Sequence, residues 1–335
     1  MPRMSLTAHG VADVLAYVDV RLGYRPAESL ALAFLRDDKI GLVMRMDLAD
    51  LADTVEQVVG IAARERAASV FLVAYTDDHD TARAAFERIT DALATCAIDP
   101  ASTITVSTDG YRTGRQTDPS PLAQIDESPV ALRLAFEGHA PARSRAELLP
   151  GPAALPDQAA AVQAARAWRT QTGESASLGL AAWMLALGEM TSGPEVAGAL
   201  GAALRIRAVR DAVLVSVVPG TSPETVQAVL TDSPDATGAA TAAVAAIITP
   251  ETAQVPGERA KRAIAVLADV IAHDPDHAPA WALWSFLRWW QGDGAAAGDG
   301  VARALQIDPN HRIAVLLSGA LAAGMPPGWA AAERG

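Results

Sequence analysis

The residues with the strongest claim to chemistry stand in the first third of the chain. Asp47, the run Tyr75-Thr76-Asp77-Asp78, and the pair Asp109 and Arg112 each follow a short apolar stretch. Arg25, Glu28 and Ser29 lie in a turn-rich segment just before another such stretch, and Arg45 stands two residues from Asp47. Carboxylates beside an arginine can bind a polar ligand through charge-assisted hydrogen bonds. They can also hold a divalent cation through oxygen, with Asp47, Asp77 and Asp78 as the metal candidates. The same residue types also serve simpler ends. Asp50, Asp77 and Asp78 stand where a helix N-cap is expected, and Arg45 could pair with Asp47 across a hairpin.

Other chemistries lack their residues. The chain of 335 residues has one cysteine, Cys96, so an intrachain disulfide and thiolate metal sites are excluded, which fits a reducing cytoplasm. Its only lysines are Lys39 and Lys261, and neither follows a glycine as a phosphate-binding loop requires. There is no Gly-x-Ser-x-Gly elbow and no His-Glu-x-x-His pair. The net charge of −12, from 27 basic and 39 acidic side chains, argues against nucleic acid, whose phosphates need clustered cations. The first 20 residues are interrupted by Asp13 and Asp19, unlike a signal peptide. The uncharged stretch Ile313 to Ala332 contains Pro326, Pro327 and three glycines, so it reads as a helix and a turn rather than a membrane span.

Periodicity supplies the elements that must position the candidate residues. Helical spacing covers Thr7 to Val18, Asp50 to Arg66 and Asp80 to Ala97. Strand-like runs cover Leu30 to Leu35, Ile40 to Leu48, Ser69 to Tyr75 and Thr103 to Ser107. Asp37-Asp38-Lys39 is short enough to close a hairpin. The order predicts an α/β domain with a mixed sheet, a hairpin followed by parallel βαβ units. If the second, third and fourth strands run parallel, their carboxyl ends share one sheet edge, where such folds bind ligands.

The runs Val14 to Tyr17, Leu22 to Leu30, Gly41 to Leu48 and Phe71 to Asp78 resemble the opening of the DUF4192 family. Asp109-Gly110-Tyr111-Arg112, Ser128-Pro129-Val130-Ala131 and Ser144 to Leu148 follow in that family's order. It is a family of actinobacterial proteins without an assigned function. The resemblance implies the domain plan and no catalytic residue. Many members carry a longer, cysteine-containing insertion after the Asp-Gly, and here that segment is only Thr113 to Asp118.

All four tyrosines precede residue 112 and all seven tryptophans follow residue 167. The proline-rich stretch between them reads as a linker at 141–156, separating an α/β domain at 1–140 from an all-α domain at 157–335. Ala268 to His277 aligns with Ala302 to His311 at an offset of 34 residues, the tetratricopeptide period, with hairpins expected at about 258–324. His277 and His311 take equivalent positions and read as helix caps. Trp281, Trp284, Trp289 and Trp290 crowd one helix, and residues 281, 284 and 288 share a face. Trp284, Arg288, Trp289 and Trp290 are therefore the partner-contact candidates. The sequence as a whole predicts a soluble cytoplasmic protein without cofactor or membrane contact, non-catalytic, docking a protein partner or itself through its helical-repeat domain. The alternative is a ligand- or metal-binding enzyme at the strand carboxyl ends.

Overall fold

The computed structural model describes residues 7–114, 116–189, 192–231 and 236–332. The chain divides into two compact units, Met1–Leu148 and Leu149–Gly335. The first is an α/β domain and the second is all helix.

In the first unit, α1 (Val11–Leu22) precedes the hairpin of β1 (Ser29–Arg36) and β2 (Lys39–Asp47). There follow α2 (Leu51–Glu65), β3 (Ser69–Tyr75), α3 (His79–Ala94), β4 (Asp99–Ser107), β5 (Gly110–Thr113), α4 (Ala123–Asp126) and α5 (Pro129–Phe136). The sheet order is β2-β1-β3-β4-β5. β1 is antiparallel to both β2 and β3, and β3 is parallel to β4. The strand alternation of β1 sorts its residues by size. Leu30, Leu32 and Phe34 join Leu72 and Val58 under α2 and α3, while Ala31 and Ala33 face α1 with Val73 and Tyr75. Alanines on that face let α1 approach the sheet closely.

α1 lies four residues beyond its expected span. Gly10 precedes it, and Gly23 ends it at φ 81°, a left-handed turn that favours glycine. β5 is an element the sequence reading did not assign. It is announced by Asp109-Gly110, a two-residue hairpin signal. Gly110 has φ 143°, and a Cβ there would stand 2.4 Å from the Ser120 carbonyl oxygen. The segment expected as a linker is partly structured. Ala142 N–H donates to Gly23 O at 2.7 Å, and the Leu148 side chain packs beside Gly23, so the chain belongs to the first unit through residue 148.

The second unit contains α6 (Leu155–Thr172), α7 (Ala176–Glu189), α8 (Pro194–Leu204), α9 (Arg207–Ser216), α10 (Pro223–Leu230) and α11 (Ala236–Ile248). After these come α12 (Glu258–His273), α13 (Ala278–Trp290), α14 (Gly294–Ile307), α15 (Arg312–Ala322) and α16 (Gly328–Ala332). The ends of α12 and α14 are equivalent in backbone: Asp274 has φ −135°, ψ 80° and Asp308 has φ −136°, ψ 95°. Each is followed by proline, which cannot continue a helix, and then by a histidine that begins the next one.

Candidate functional site

β2 is parallel to β3 across the intervening antiparallel β1, so the carboxyl ends of β2, β3 and β4 do share one edge with the amino end of β1. The register sets Asp47 beside Ser29, Ser29 beside Tyr75, and Tyr75 beside Val106. Neighbouring strands are about 4.8 Å apart. The aspartates are therefore spread along the edge, and each meets its own partners.

At one end, Arg45 and Asp47 stand two apart on β2 and so share a face of that strand, rather than pairing across the hairpin. Arg45 Nη1 donates to Asp47 Oδ1 at 2.7 Å and to Ser29 Oγ at 2.6 Å, and Nη2 reaches Asp47 Oδ2 at 3.3 Å. The guanidinium holds the Asp47 carboxyl below its usual range. In the middle, Thr76 Oγ1 donates to the Glu28 carboxylate at 3.0 Å and accepts from Asp78 N–H at 3.1 Å. Asp78 caps α3 through the amides of Asp80 and Thr81. Asp77 Oδ1 accepts from Thr108 N–H at 2.7 Å and from its hydroxyl at 2.9 Å, which ties two loops together. At the far end, Arg112 makes two parallel bonds to Asp109, at 3.0 and 2.6 Å, and Ser107 Oγ donates to Asp109 Oδ1 at 2.6 Å. These bonds hold the Asp109 carboxyl far below its usual range. Asp50, expected as a cap of α2, makes no side-chain cap bond. Among the described residues, no group of three or more His, Cys, Asp or Glu stands together as a metal site.

The structure adds a member that sequence reasoning passed over. Asp19, on α1, is 1% exposed. Its Oδ1 accepts from the Tyr75 hydroxyl at 2.7 Å and its Oδ2 from Arg25 Nε at 2.7 Å, while Arg25 Nη2 donates to Asp126 at 2.7 Å. Burial pushes the Asp19 carboxyl up to about 6, against the pull of Arg25 and Tyr75. Burial and the neighbouring carboxylate also raise the Tyr75 phenol well above its usual range. The signal was available: Asp19 adjoins Val18 and follows Leu15 by one turn, so it interrupts the buried stripe of a helix. An acid in that position needs a partner. The set is self-contained, with a proton held between carboxylate and phenol beside a fixed cation. Arg25 and Tyr75 are thus brought together, whereas the Ser29, Thr76 and Asp109 groups remain separate.

In the helical unit the partner-contact expectation is corrected. Trp284, Trp289 and Trp290 are 3%, 3% and 0% exposed. α13 is packed by both α12 and α14, and its indoles turn inward, those of Trp281, Trp289 and Trp290 to backbone carbonyls, while Trp284 Nε1 has no partner among the described residues. Trp289 Nε1 donates to Met325 O and Trp290 Nε1 to Gln254 O, both at 3.0 Å. Arg288 bonds Asp293 and lies 5.5 Å over the Trp284 ring, so it too is engaged within the unit. The four residues form no outward patch. His277, in contrast, is the expected cap. Its Nδ1 accepts from Ala280 N–H at 3.1 Å, which leaves Nε2 to donate to Gly201 O at 2.8 Å. Burial pushes it down to about 4, with Arg205 adding to the effect. Its counterpart His311 is also buried but makes no side-chain cap bond, and burial lowers it as well.

The chain belongs to the DUF4192 family: the model of that domain of unknown function matches residues 12–328, nearly the whole of both units. Neither the curated proteins nor the solved structures gave a match. No described helix is long and apolar enough to cross a membrane.

Proposed function

We propose that the chain is a non-catalytic interaction protein that docks a partner helix, or a second copy of itself, on its helical unit. The observation that carries this reading is the face of α15. Val315 and Leu316 are 49% and 65% exposed, and a Cβ on Gly319 would meet nothing within 4 Å. One 34-residue period earlier the matching positions are Trp281, Ala282 and Ser285, which are 4%, 0% and 0% exposed. There α14 closes the face so tightly that a Cβ on Gly300 would stand 2.2 Å from Ser285 Oγ. The equivalence supports a tetratricopeptide-like arrangement in which α15 presents to solvent a surface built to receive a helix. The α/β unit gives less support to the rival reading of an enzyme, since its edge carboxylates are engaged by their own neighbours.

The test is a V315D/L316D double variant, which adds charge to exposed positions and leaves the core intact. Sedimentation should show loss of a self-associated species, or a capture experiment should show loss of the same partner that the unaltered chain retains. Identical sedimentation and identical captured proteins for both chains would sink the reading.

A further inference from the structure

The helical unit also holds an open groove of about 470 Å³ between α6, α8 and the end of α12. That volume is in the range of small-molecule sites. Its floor lacks bulky side chains because the helices nearly touch: a Cβ on Gly198 would stand 2.1 Å from the Ala161 carbonyl oxygen. One wall is apolar, with Val162 and Ala165. The polar lining is Arg169, Arg205, Asp274 and His273, and the His273 Nδ1 is engaged with the Asp269 carbonyl at 2.8 Å. Arg169 lines the groove, and its guanidinium makes no hydrogen bond or ion pair among the described residues. Arg205 lines it too, and its Nη2 lies 3.1 Å from Asp274 Oδ2, so the three charges leave one positive charge in surplus. In a chain of net charge −12 an unpaired, half-buried guanidinium beside a cavity is out of keeping with its surroundings. At the sheet edge, by comparison, Arg25, Arg45 and Arg112 all have carboxylate partners.

We infer that this groove binds a small organic anion, a carboxylate or phosphate head on a compact apolar body. Arg169 grips the head, since a guanidinium fork matches either oxyanion bidentately. Arg205 turns from Asp274 to the ligand, and the Val162 and Ala165 wall covers the apolar part. The site is separate from the α15 face.

Calorimetric titration of the full chain with hexanoate, hexyl phosphate, inorganic phosphate and hexanol tests this. One or both of the organic anions should bind with one-to-one stoichiometry, and which of them does so assigns the head group. R169Q should weaken binding at least tenfold with an unchanged melting temperature, because the Arg169 guanidinium makes no bond among the described residues. A165L should weaken it comparably by filling the groove, D274N should tighten it severalfold, and V315D/L316D should leave it unchanged. The inference is overturned if neither organic anion binds, if R169Q and A165L bind as the unaltered chain does, or if inorganic phosphate or hexanol binds equally well.

Discussion

In the α/β unit the buried carboxylate of Asp19 is met by a guanidinium and a phenol. In the helical unit the buried ring nitrogens of Trp183, Trp289, Trp290 and His277 are met by backbone carbonyls. The difference follows from composition. The sheet edge is rich in Asp, Arg, Ser and Thr, so charges find charges. The alanine-rich helices offer few polar side chains, so these ring N–H groups reach backbone carbonyls, whereas Trp284 Nε1 and both ring nitrogens of His311 have no partner among the described residues. One unit thus stores its polar satisfaction in groups that titrate or pair with titrating ones. The other relies largely on backbone carbonyls, which do not titrate.

The sharpest way to break this comparison is H277A. It removes the partner of Ala280 N–H and of Gly201 O together and leaves a cavity, which should cost about 4 kcal/mol. Tryptophan fluorescence during urea unfolding reads this loss for the helical unit alone, because every tryptophan follows residue 167. An equal shift in the tyrosine near-UV signal, which arises before residue 112, would show that the two units do not respond separately.

The next test is pH, where the two units should move in opposite directions. Asp19 titrates near 6 when folded, above its unfolded value, so its contribution is complete below about pH 4 and is lost as pH rises through 6. His277 titrates near 4 when folded, below its unfolded value, so its contribution is complete above about pH 6.5 and is lost as pH falls through 4. Each amounts to about 3 kcal/mol. Between pH 4 and 6.5, acidification should lower the tryptophan-detected midpoint. It should raise the tyrosine-detected midpoint relative to that of D19N. Parallel curves in the unaltered chain and D19N would remove Asp19 as a buried titrating group.

A smaller effect is expected of G110A, which must hold φ 143° at the start of β5 against the Ser120 carbonyl. A loss of about 2 kcal/mol in the tyrosine-detected transition would place that strand start among the anchors of the α/β unit. Smallest of all should be R45Q. Its ion pair is partly open to water, so the loss should be about 1 kcal/mol or less and should shrink further at high salt. A larger loss would mean that Arg45 supports buried Ser29 more than it pairs with Asp47.

Much of the fold could be read from residue patterns. Ser69–Tyr75 carries the apolar run Val70-Phe71-Leu72-Val73, and the sequence reading matches its bounds in the structure. The 34-residue spacing likewise reappears in the paired dihedrals of Asp274 and Asp308. The misses have physical causes. β5 has only four residues, too few for alternation to register, and its hairpin was legible only through Asp109-Gly110. Most tryptophans of α13 read as core, but at least one was expected to face outward because one face of a helix cannot hold them all. That argument assumed one packed face, whereas α13 is enclosed on several sides. Arg169 offered no sequence signal at all, since an unpaired arginine is defined by what its neighbours fail to provide.

The Arg45–Asp47 pair has a further consequence once β2 is seen as an outer strand of the sheet. An outer strand exposes unpaired amides and carbonyls, an open template for another chain to extend the sheet. β2 meets that hazard with charge: Lys39, one of only two lysines, stands at its start, and Arg45 and Asp47 close its end. The opposite margin, β5, is kept to four residues. Arg45 and Asp47, which first suggested a binding site, thus stand with Lys39 where charge opposes strand addition, and neutralising all three should promote aggregation through the exposed edge of the sheet.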